Sequence, residues 1–120
     1  MANLNEVRLI GNVGKPIELR NPNGTDVCTV FLATNSYRGK GDQREPRTAW
    51  HRVVLFDQNA RYAARHVQVG DTVFAAGHLD YRQWERDGEV YHTTEIVAED
   101  FQGLRLRGVQ RSANDNREEE

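Results

Sequence analysis

One stretch of strand-like sequence constrains the fold of this chain more than any other. Residues 48–56 read Thr-Ala-Trp-His-Arg-Val-Val-Leu-Phe, a run of the β-branched and aromatic residues that strands favour. Side chains alternate between the two faces of a strand. One face therefore carries aromatic rings and a guanidinium group, namely Trp50, Arg52, Val54 and Phe56. The other face carries an imidazole and two aliphatic side chains, namely His51, Val53 and Leu55. The stretch alone is also compatible with a strand that is buried on both faces.

Four further segments have the composition of strands. They cover residues 4–13, 27–35, 72–81 and 89–101, and residues 17–20 read as a short edge piece. Gly11 and Gly77 interrupt two of these runs. They indicate bulges or sharp bends, which a small barrel requires.

One helix, one long loop and one tight turn connect these strands. In residues 57–67, alanines and a valine recur at a spacing of three to four. This spacing predicts a helix, with Asp57 as its N-cap. Residues 37–47 have few apolar side chains and predict a long, mobile and positively charged hairpin loop. Asp87-Gly88 is a two-residue turn signal, which predicts Trp84 opposite Tyr91.

The order of these elements predicts an all-β fold. It would be a five-stranded barrel with one short helix between strands three and four and with long β-hairpin loops. This is the arrangement of the oligonucleotide/oligosaccharide-binding (OB) fold. A chain of 120 residues fits one domain. We assign residues 1–108 to that domain and residues 109–120 to a disordered acidic tail.

The charge distribution and the cysteine content limit the kinds of site and the cellular compartment that fit this chain. The formal net charge is −2, but residues 112–120 hold four acidic residues and one arginine. The remainder has 15 basic and 14 acidic residues, and five of the basic ones fall within residues 38–52. The single cysteine, Cys28, excludes an internal disulfide framework or cysteine-rich zinc site and fits a reducing cytoplasm. The sequence shows no signal-peptide or membrane-spanning pattern, which predicts a cytoplasmic protein with no membrane contact.

Large aromatic residues in polar settings predict a nucleic-acid surface. Tyr37 opens the basic loop, and Trp84 lies in the charged run Arg-Gln-Trp-Glu-Arg. An exposed large aromatic side chain usually has a binding partner. Aromatic faces interleaved with arginine and lysine suit single strands, because every base has a π-face and every nucleotide a phosphate. Packing of Trp84 on its own barrel or on another subunit is the alternative.

Catalytic and cofactor sites are not indicated. The four histidines lack the close pairing of a metal motif, and His78 and Asp80 are two possible ligands without a third. The serines lack a nucleophile-elbow context. Gly39-Lys40-Gly41 is too short for a phosphate-binding P-loop and reads as a flexible loop tip. We therefore expect no enzyme activity, no metal and no cofactor.

Five runs of the sequence resemble one protein family. They are residues 5–14 (Asn-Glu-Val-Arg-Leu-Ile-Gly-Asn-Val-Gly), 22–24 (Pro-Asn-Gly), 32–35 (Leu-Ala-Thr-Asn), 50–56 (Trp-His-Arg-Val-Val-Leu-Phe) and 91–96 (Tyr-His-Thr-Thr-Glu-Ile). Through these runs, from about residue 5 to residue 104, the chain resembles the bacterial single-stranded DNA-binding protein family. The resemblance implies an OB fold that assembles as a homotetramer and wraps single-stranded DNA around itself.

The resemblance also assigns roles to single residues. It implies base stacking by four aromatic side chains, namely Tyr37, Trp50, Phe56 and Trp84. It implies a basic contact at Arg82 and a subunit contact at His51. Together with the charge pattern, it predicts that DNA phosphates are bound by Arg38, Lys40, Arg44, Arg47, Arg52 and Arg82.

The sequence departs from the family pattern at three internal positions and at its end. Asp57 and Gln58 stand where the family commonly has Gly-Lys, and Gln83 stands where lysine is common. The changes at residues 58 and 83 each remove a cation and predict weaker or more salt-sensitive binding. The chain ends in Glu-Glu-Glu, whereas the family has an acidic tip with Pro-Phe that docks repair and replication proteins. Recruitment through such a tip lacks its apolar anchor. Two explanations fit this departure, namely a copy carried by a plasmid, phage or other mobile element and a truncated form of the protein.

These patterns predict a non-catalytic protein that binds and protects single-stranded DNA in replication, recombination or repair. Sequence preference should be slight, because stacking accepts every base. Two alternatives stay open at this point. One is an OB-fold interaction subunit of a primosome or mobile-element complex with secondary DNA binding, which the near-neutral charge favours. The other is a small enzyme on an OB scaffold, although no catalytic set converges in the sequence.

Overall fold

A computed structural model describes residues 1–107 of the chain. The strands are β1 (Val7–Val13), β2 (Val27–Arg38), β3 (Glu45–Phe56), β4 (Thr72–Arg86) and β5 (Glu89–Arg105), with helix α1 (Asp57–His66) between β3 and β4. They form a closed barrel in the order β1-β2-β3-β5-β4. β3 and β5 pair in parallel and the other neighbours are antiparallel. The predicted five-stranded OB barrel is confirmed, whereas the boundary at residue 108 and the acidic tail lie outside the described residues.

Alternating side chains fill the barrel. Within the barrel, most of the buried strand residues lie at alternate positions, as the alternation of side chains predicts, and almost all of them are apolar. The core strand residues are Val13, Cys28, Val30, Leu32, Val53, Leu55, Val73, Ala75, Ile96, Ala98 and Phe101. Helix α1 adds the fully buried Ala60 and Ala63 to this core. Because β3 buries Val53 and Leu55, its other face is left for contacts outside the barrel.

Two β-hairpins extend beyond the barrel, and both are longer than the sequence predicted. β2 continues to Arg38 and β3 begins at Glu45, and these two residues pair with each other. The prediction of a long mobile loop over residues 37–47 is therefore wrong. The connection between β2 and β3 spans only residues 39–44 and includes a short 3-10 turn. Residues 35–50 are all exposed. A two-stranded arm in water buries no face, so it lacks the apolar alternation on which the prediction relied.

The second hairpin agrees with its turn signal. β4 and β5 also extend past the predicted ends, and Trp84 pairs with Tyr91 as expected. Asp87 (φ 52°) and Gly88 (φ 81°) have positive φ, as a two-residue hairpin turn of this type requires. The register shift between Ala76 and Gly77 also confirms the bend predicted at Gly77.

Three smaller predictions differ from the structure. β1 begins at Val7 rather than at residue 4, and residues 17–20 contribute only the single bridge between Arg20 and Val27. Asp57 does not cap α1 with its side chain but lies in its first turn with a φ of 54°. Its backbone N–H donates to the carbonyl oxygen of Asp26 at 2.8 Å, so the residue that precedes β2 fixes the start of the helix.

The side chain of Asp26 also binds helix α1 through Arg61. Its carboxylate accepts hydrogen bonds from Arg61 and from Asn21, each at 2.7 Å. These two hydrogen bonds hold the pKa of Asp26 below its usual value, and the bond from Arg61 is the larger cause.

In the part of the chain described, no helix is long and apolar enough to cross a membrane.

The buried cysteine gives a testable prediction. Burial raises the pKa of the Cys28 thiol from 9.0 to about 11. At pH 8 the native thiol should hold about 100-fold less thiolate than the unfolded one and react correspondingly slowly with a disulfide reagent. Since the folded pKa is the higher one, the stabilising contribution of the protonated thiol is complete below pH 9 and is lost as the pH rises toward 11. Rapid labelling of Cys28 in the native protein at pH 8 would contradict the burial of this thiol.

Candidate nucleic-acid interface

Four strands present one continuous outer surface. Strand alternation and the register between the strands place alternate residues of β2, β3, β5 and β4 on the same side of the sheet. We call this surface the aromatic face. It consists of Thr29, Phe31, Trp50, Arg52, Val54, Phe56, Asp80, Arg82, Trp84, Tyr91, Thr93, Glu95 and Val97. The structure thus brings together five of the site residues predicted from the sequence, namely Trp50, Arg52, Phe56, Arg82 and Trp84.

Arg52 lies at the centre of the aromatic face. It lines three neighbouring grooves, one with Phe56, one with Phe31 and one with Trp84. Its guanidinium lies 3.5 Å from one carboxylate oxygen of Glu95, and that of Arg82 lies 3.6 Å from the other. Glu95 is only 4% exposed. A buried carboxylate therefore holds two arginines on the surface, each with unused donors for an anionic partner.

The second hairpin carries a pair of stacked aromatic rings. Trp84 and Tyr91 lie with their ring centroids 4.6 Å apart and their planes 20° from parallel. The indole N–H of Trp84 donates to the hydroxyl of Thr93 at 3.3 Å. Trp84 remains 45% exposed, so one ring face is held by the hairpin while much of the indole stays accessible. Trp84 therefore packs on its own hairpin and still offers part of its ring to a partner.

The two aromatic residues of β3 lie near opposite ends of its outward run. Trp50 is 59% exposed and Phe56 is 41% exposed. The indole of Trp50 lies over the backbone of Gly14, where a Cβ would overlap the ring. The absence of a side chain at this position lets the large ring approach the backbone directly after β1. Arg52 separates Trp50 from Phe56, so a guanidinium is placed between two rings.

The first hairpin carries the remaining predicted residues, and the register divides them between two faces. Tyr37 lies on the same face of the β2–β3 ladder as Trp50, and the guanidinium of Arg44 lies 4.6 Å from its ring centroid. Arg38 and Arg47 lie on the opposite face. Lys40 lies in the connection at the tip of the hairpin. The six basic residues predicted as phosphate contacts therefore do not form one cluster.

His51 lies on the side of β3 that faces away from Trp50. Its Nε2 is 2.9 Å from the hydroxyl oxygen of Thr34, and the imidazole is partly buried. This leaves it outside the aromatic face, on the same side of the ladder as Arg38 and Arg47. Gln83 likewise lies on the face of β4 opposite Trp84, so a lysine at this position would not add a cation to the aromatic face.

The sequence did not identify Phe31, Tyr91 or Glu95 as members of the aromatic face. Phe31 lies in an apolar strand run, and its neighbours Val30 and Leu32 are the fully buried residues of that run. The hairpin turn predicted that Tyr91 pairs with Trp84, but not that their rings stack. Glu95 lies in a strand with no local signal that two arginines converge on it. Within residues 1–107, no group of three His, Cys, Asp or Glu side chains could hold a metal ion.

Replacing Glu95 with glutamine tests the electrostatics of this face. The loss of one negative charge between Arg52 and Arg82 should tighten binding of a single-stranded oligonucleotide at low salt. If one more phosphate is neutralised, the slope of log K against log salt should steepen by about 0.7. Glu85→Gln is the matched control, because Glu85 lies on the opposite face of the same hairpin. Equal effects of both variants would show that only net charge matters.

Comparison with known proteins agrees with this geometry. The single-strand binding protein family matches residues 4–104 of the chain. The chain belongs to this family. The family predicted from the sequence is therefore confirmed.

Two solved structures of the family illustrate the likeness. A single-strand binding protein of Plasmodium falciparum in complex with single-stranded DNA is 30% identical, with a TM-score of 0.77, and the match covers 87% of this chain and 97% of that one. A deletion mutant of the single-stranded DNA-binding protein from Thermus aquaticus is 31% identical, with a TM-score of 0.75. That match covers 88% of this chain but only 52% of the Thermus chain, so this chain spans about half of its length.

Proposed function

We propose that this chain binds and protects single-stranded DNA without catalysing a reaction. The observation that carries the proposal is the aromatic face, where Trp50, Phe56 and Trp84 alternate with Arg52 and Arg82 on one exposed side of the sheet. Rings at this spacing suit successive unstacked bases, and the arginines between them suit the connecting phosphates. The family to which the chain belongs supports the same ligand.

A nearly neutral protein can bind DNA through such a surface, because base stacking supplies much of the binding free energy. Stacking contributes about 1–3 kcal/mol per base, so three or four rings suffice for useful affinity without a large basic charge. Stacking accepts every base, so the protein would bind with little sequence preference. Glu95 neutralises part of the charge of Arg52 and Arg82, which should keep the salt-dependent share of the affinity small.

The family resemblance supports a proposal for the cellular role and the assembly. A protein of this kind would hold strands open and protect them during replication, recombination or repair, in association with the nucleoid. We propose that it acts as a homotetramer, with His51 at a subunit contact and with Tyr37, Arg38, Lys40, Arg44 and Arg47 assisting DNA binding from the first hairpin. The position of His51 on the side of β3 away from Trp50 supports this role, because assembly there would leave the aromatic face accessible. Light scattering of the purified chain tests the tetramer.

Fluorescence anisotropy of a labelled deoxythymidine oligonucleotide tests the binding function. We expect saturable binding at low salt that an unlabelled single strand reverses and that duplex DNA of the same length reverses poorly. A ribonucleotide competitor measures the preference between DNA and RNA. Equal competition by duplex DNA would overturn the stacking mechanism. Stable capture of a protein partner by a chain that fails to bind DNA at low salt would favour the interaction-subunit alternative.

A further inference from the structure

Phe31 is an aromatic residue of the exposed sheet that the proposed DNA contacts do not include. It lies on β2 directly opposite Arg52 of β3. Its neighbours Val30 and Leu32 are fully buried in the barrel, so the Phe31 side chain points to the other side of the sheet. The ring is therefore not needed to fill the core. Because the core does not account for this ring, we expect a role of Phe31 on the outer surface, next to Arg52.

Basic side chains surround this ring. The ammonium nitrogen of Lys15 lies 4.5 Å from the ring centroid, and the guanidinium carbon of Arg52 lies 5.2 Å from it. The ring also lines a groove together with Pro16, Glu18, Arg20, Thr29 and Arg52. Two arginines and one carboxylate line this groove, and Lys15 adds a third cation over the ring, which makes the region attractive to an anion.

The groove is continuous with the rest of the aromatic face. Arg20, Thr29 and Arg52 line both this groove and the neighbouring one that holds Phe56 and Arg82. A strand that crosses Phe56 and Arg52 can therefore continue toward β2 without leaving the surface. Lys15 is exposed and covers the ring only through a cation–π contact, which is weak at a solvent-accessible site. A nucleobase can take its place on the ring.

We propose that Phe31, Lys15 and Arg20 form a further nucleotide subsite on the β2 side of the aromatic face. A base stacks on the Phe31 ring, and Lys15 and Arg20 bind the adjoining phosphate. The proposal rests on the single-stranded DNA binding proposed above and adds a fifth stacking position to Tyr37, Trp50, Phe56 and Trp84. It predicts that the DNA path extends over β2 as well as over β3 and the two hairpins.

Two substitutions separate stacking from simple support of Arg52. Phe31→Leu keeps an apolar side chain beneath Arg52 but removes the flat ring, and Phe31→Tyr keeps the ring. We expect Phe31→Leu to weaken binding of a deoxythymidine oligonucleotide about fivefold or more, and Phe31→Tyr to restore most of that loss. Wild-type affinity in Phe31→Leu, with wild-type thermal stability, would overturn the subsite. For Lys15→Gln, the slope of log K against log salt should become shallower by about 0.7.

A fluorescence measurement reports on the ring position directly. In a variant with Trp50→Phe, Trp84→Phe and Phe31→Trp, the indole at position 31 is the only one, because the chain has two tryptophans. Anisotropy of a labelled oligonucleotide follows binding independently. We expect saturable quenching in step with the anisotropy change, and unchanged emission on a bound strand would reject the subsite. If the unmodified protein fails to bind at low salt, the proposed function itself fails, so the two results are distinguishable.

Discussion

Replacing Trp50 or Trp84 with alanine weakens binding of a long deoxythymidine oligonucleotide by about 5- to 150-fold each. This range corresponds to the loss of about 1–3 kcal/mol of stacking per base. Both indoles are well exposed on the aromatic face, so their removal should cost little folding stability. Anisotropy titrations at fixed salt measure the effect, and the salt slope should stay unchanged because no cation is removed.

Tyr81→Ala is the matched control for the tryptophan variants. Tyr81 is 71% exposed and lies on β4, but on the face opposite Arg82 and Trp84. Its removal should leave the affinity for DNA unchanged. Trp84→Phe should keep part of the affinity, because a smaller ring can still stack on Tyr91 and on a base. If the Tyr81 variant loses as much affinity as the tryptophan variants, the aromatic face is not the binding surface.

Replacing Gly77 with alanine destabilises the barrel by about 1–3 kcal/mol or more. A Cβ at this position would overlap the carbonyl oxygen of Val97 and would lie 2.7 Å from the Cα of Ala98. These are backbone atoms of the paired strand, so they cannot rotate away as a side chain does. Gly77 marks the register shift of β4 where the strand bends, and separation of β4 from β5 there would disturb the closed barrel. Denaturant unfolding followed by circular dichroism measures the loss.

Gly103→Ala is the control for the Gly77 variant. A Cβ at Gly103 would lie 2.6 Å from the side-chain carbons of Leu106, which are partly exposed and can move. The expected loss of stability is therefore smaller than for Gly77→Ala, although both glycines lie on the β4–β5 pair. A Gly103 variant that is destabilised as much as the Gly77 variant would show that backbone approach is not the cause.

The barrel was predictable because its strands alternate between buried and exposed residues. Val53 and Leu55 are buried while Trp50 and Phe56 are exposed, as the alternation along residues 48–56 predicted. The hairpin arms were missed because both of their faces contact water. Tyr37 and Arg38 therefore read as a loop, although they continue the pairing of β2 with β3. Local sequence carries a strong strand signal only where one face is buried.

The site was partly predictable, for a related reason. Exposed tryptophans and arginines are visible in the sequence, but which of them share a face depends on register between strands. Register placed Arg52 and Arg82 on the same buried carboxylate, Glu95, across three strands. It also placed Phe31 opposite Arg52 and moved Arg47 to the other side of the first hairpin. These relations join residues far apart in the chain, and no local pattern encodes them.

Intrinsic tryptophan fluorescence during titration with a deoxythymidine oligonucleotide tests the central claim most directly. Trp50 and Trp84 are the two tryptophans of the chain, and both lie on the aromatic face. The account predicts strong quenching at low salt that saturates at a defined ratio of nucleotide to protein and is partly reversed by high salt. Unchanged tryptophan emission at low salt, with excess oligonucleotide present, would contradict it, because neither indole would then be stacking on a base.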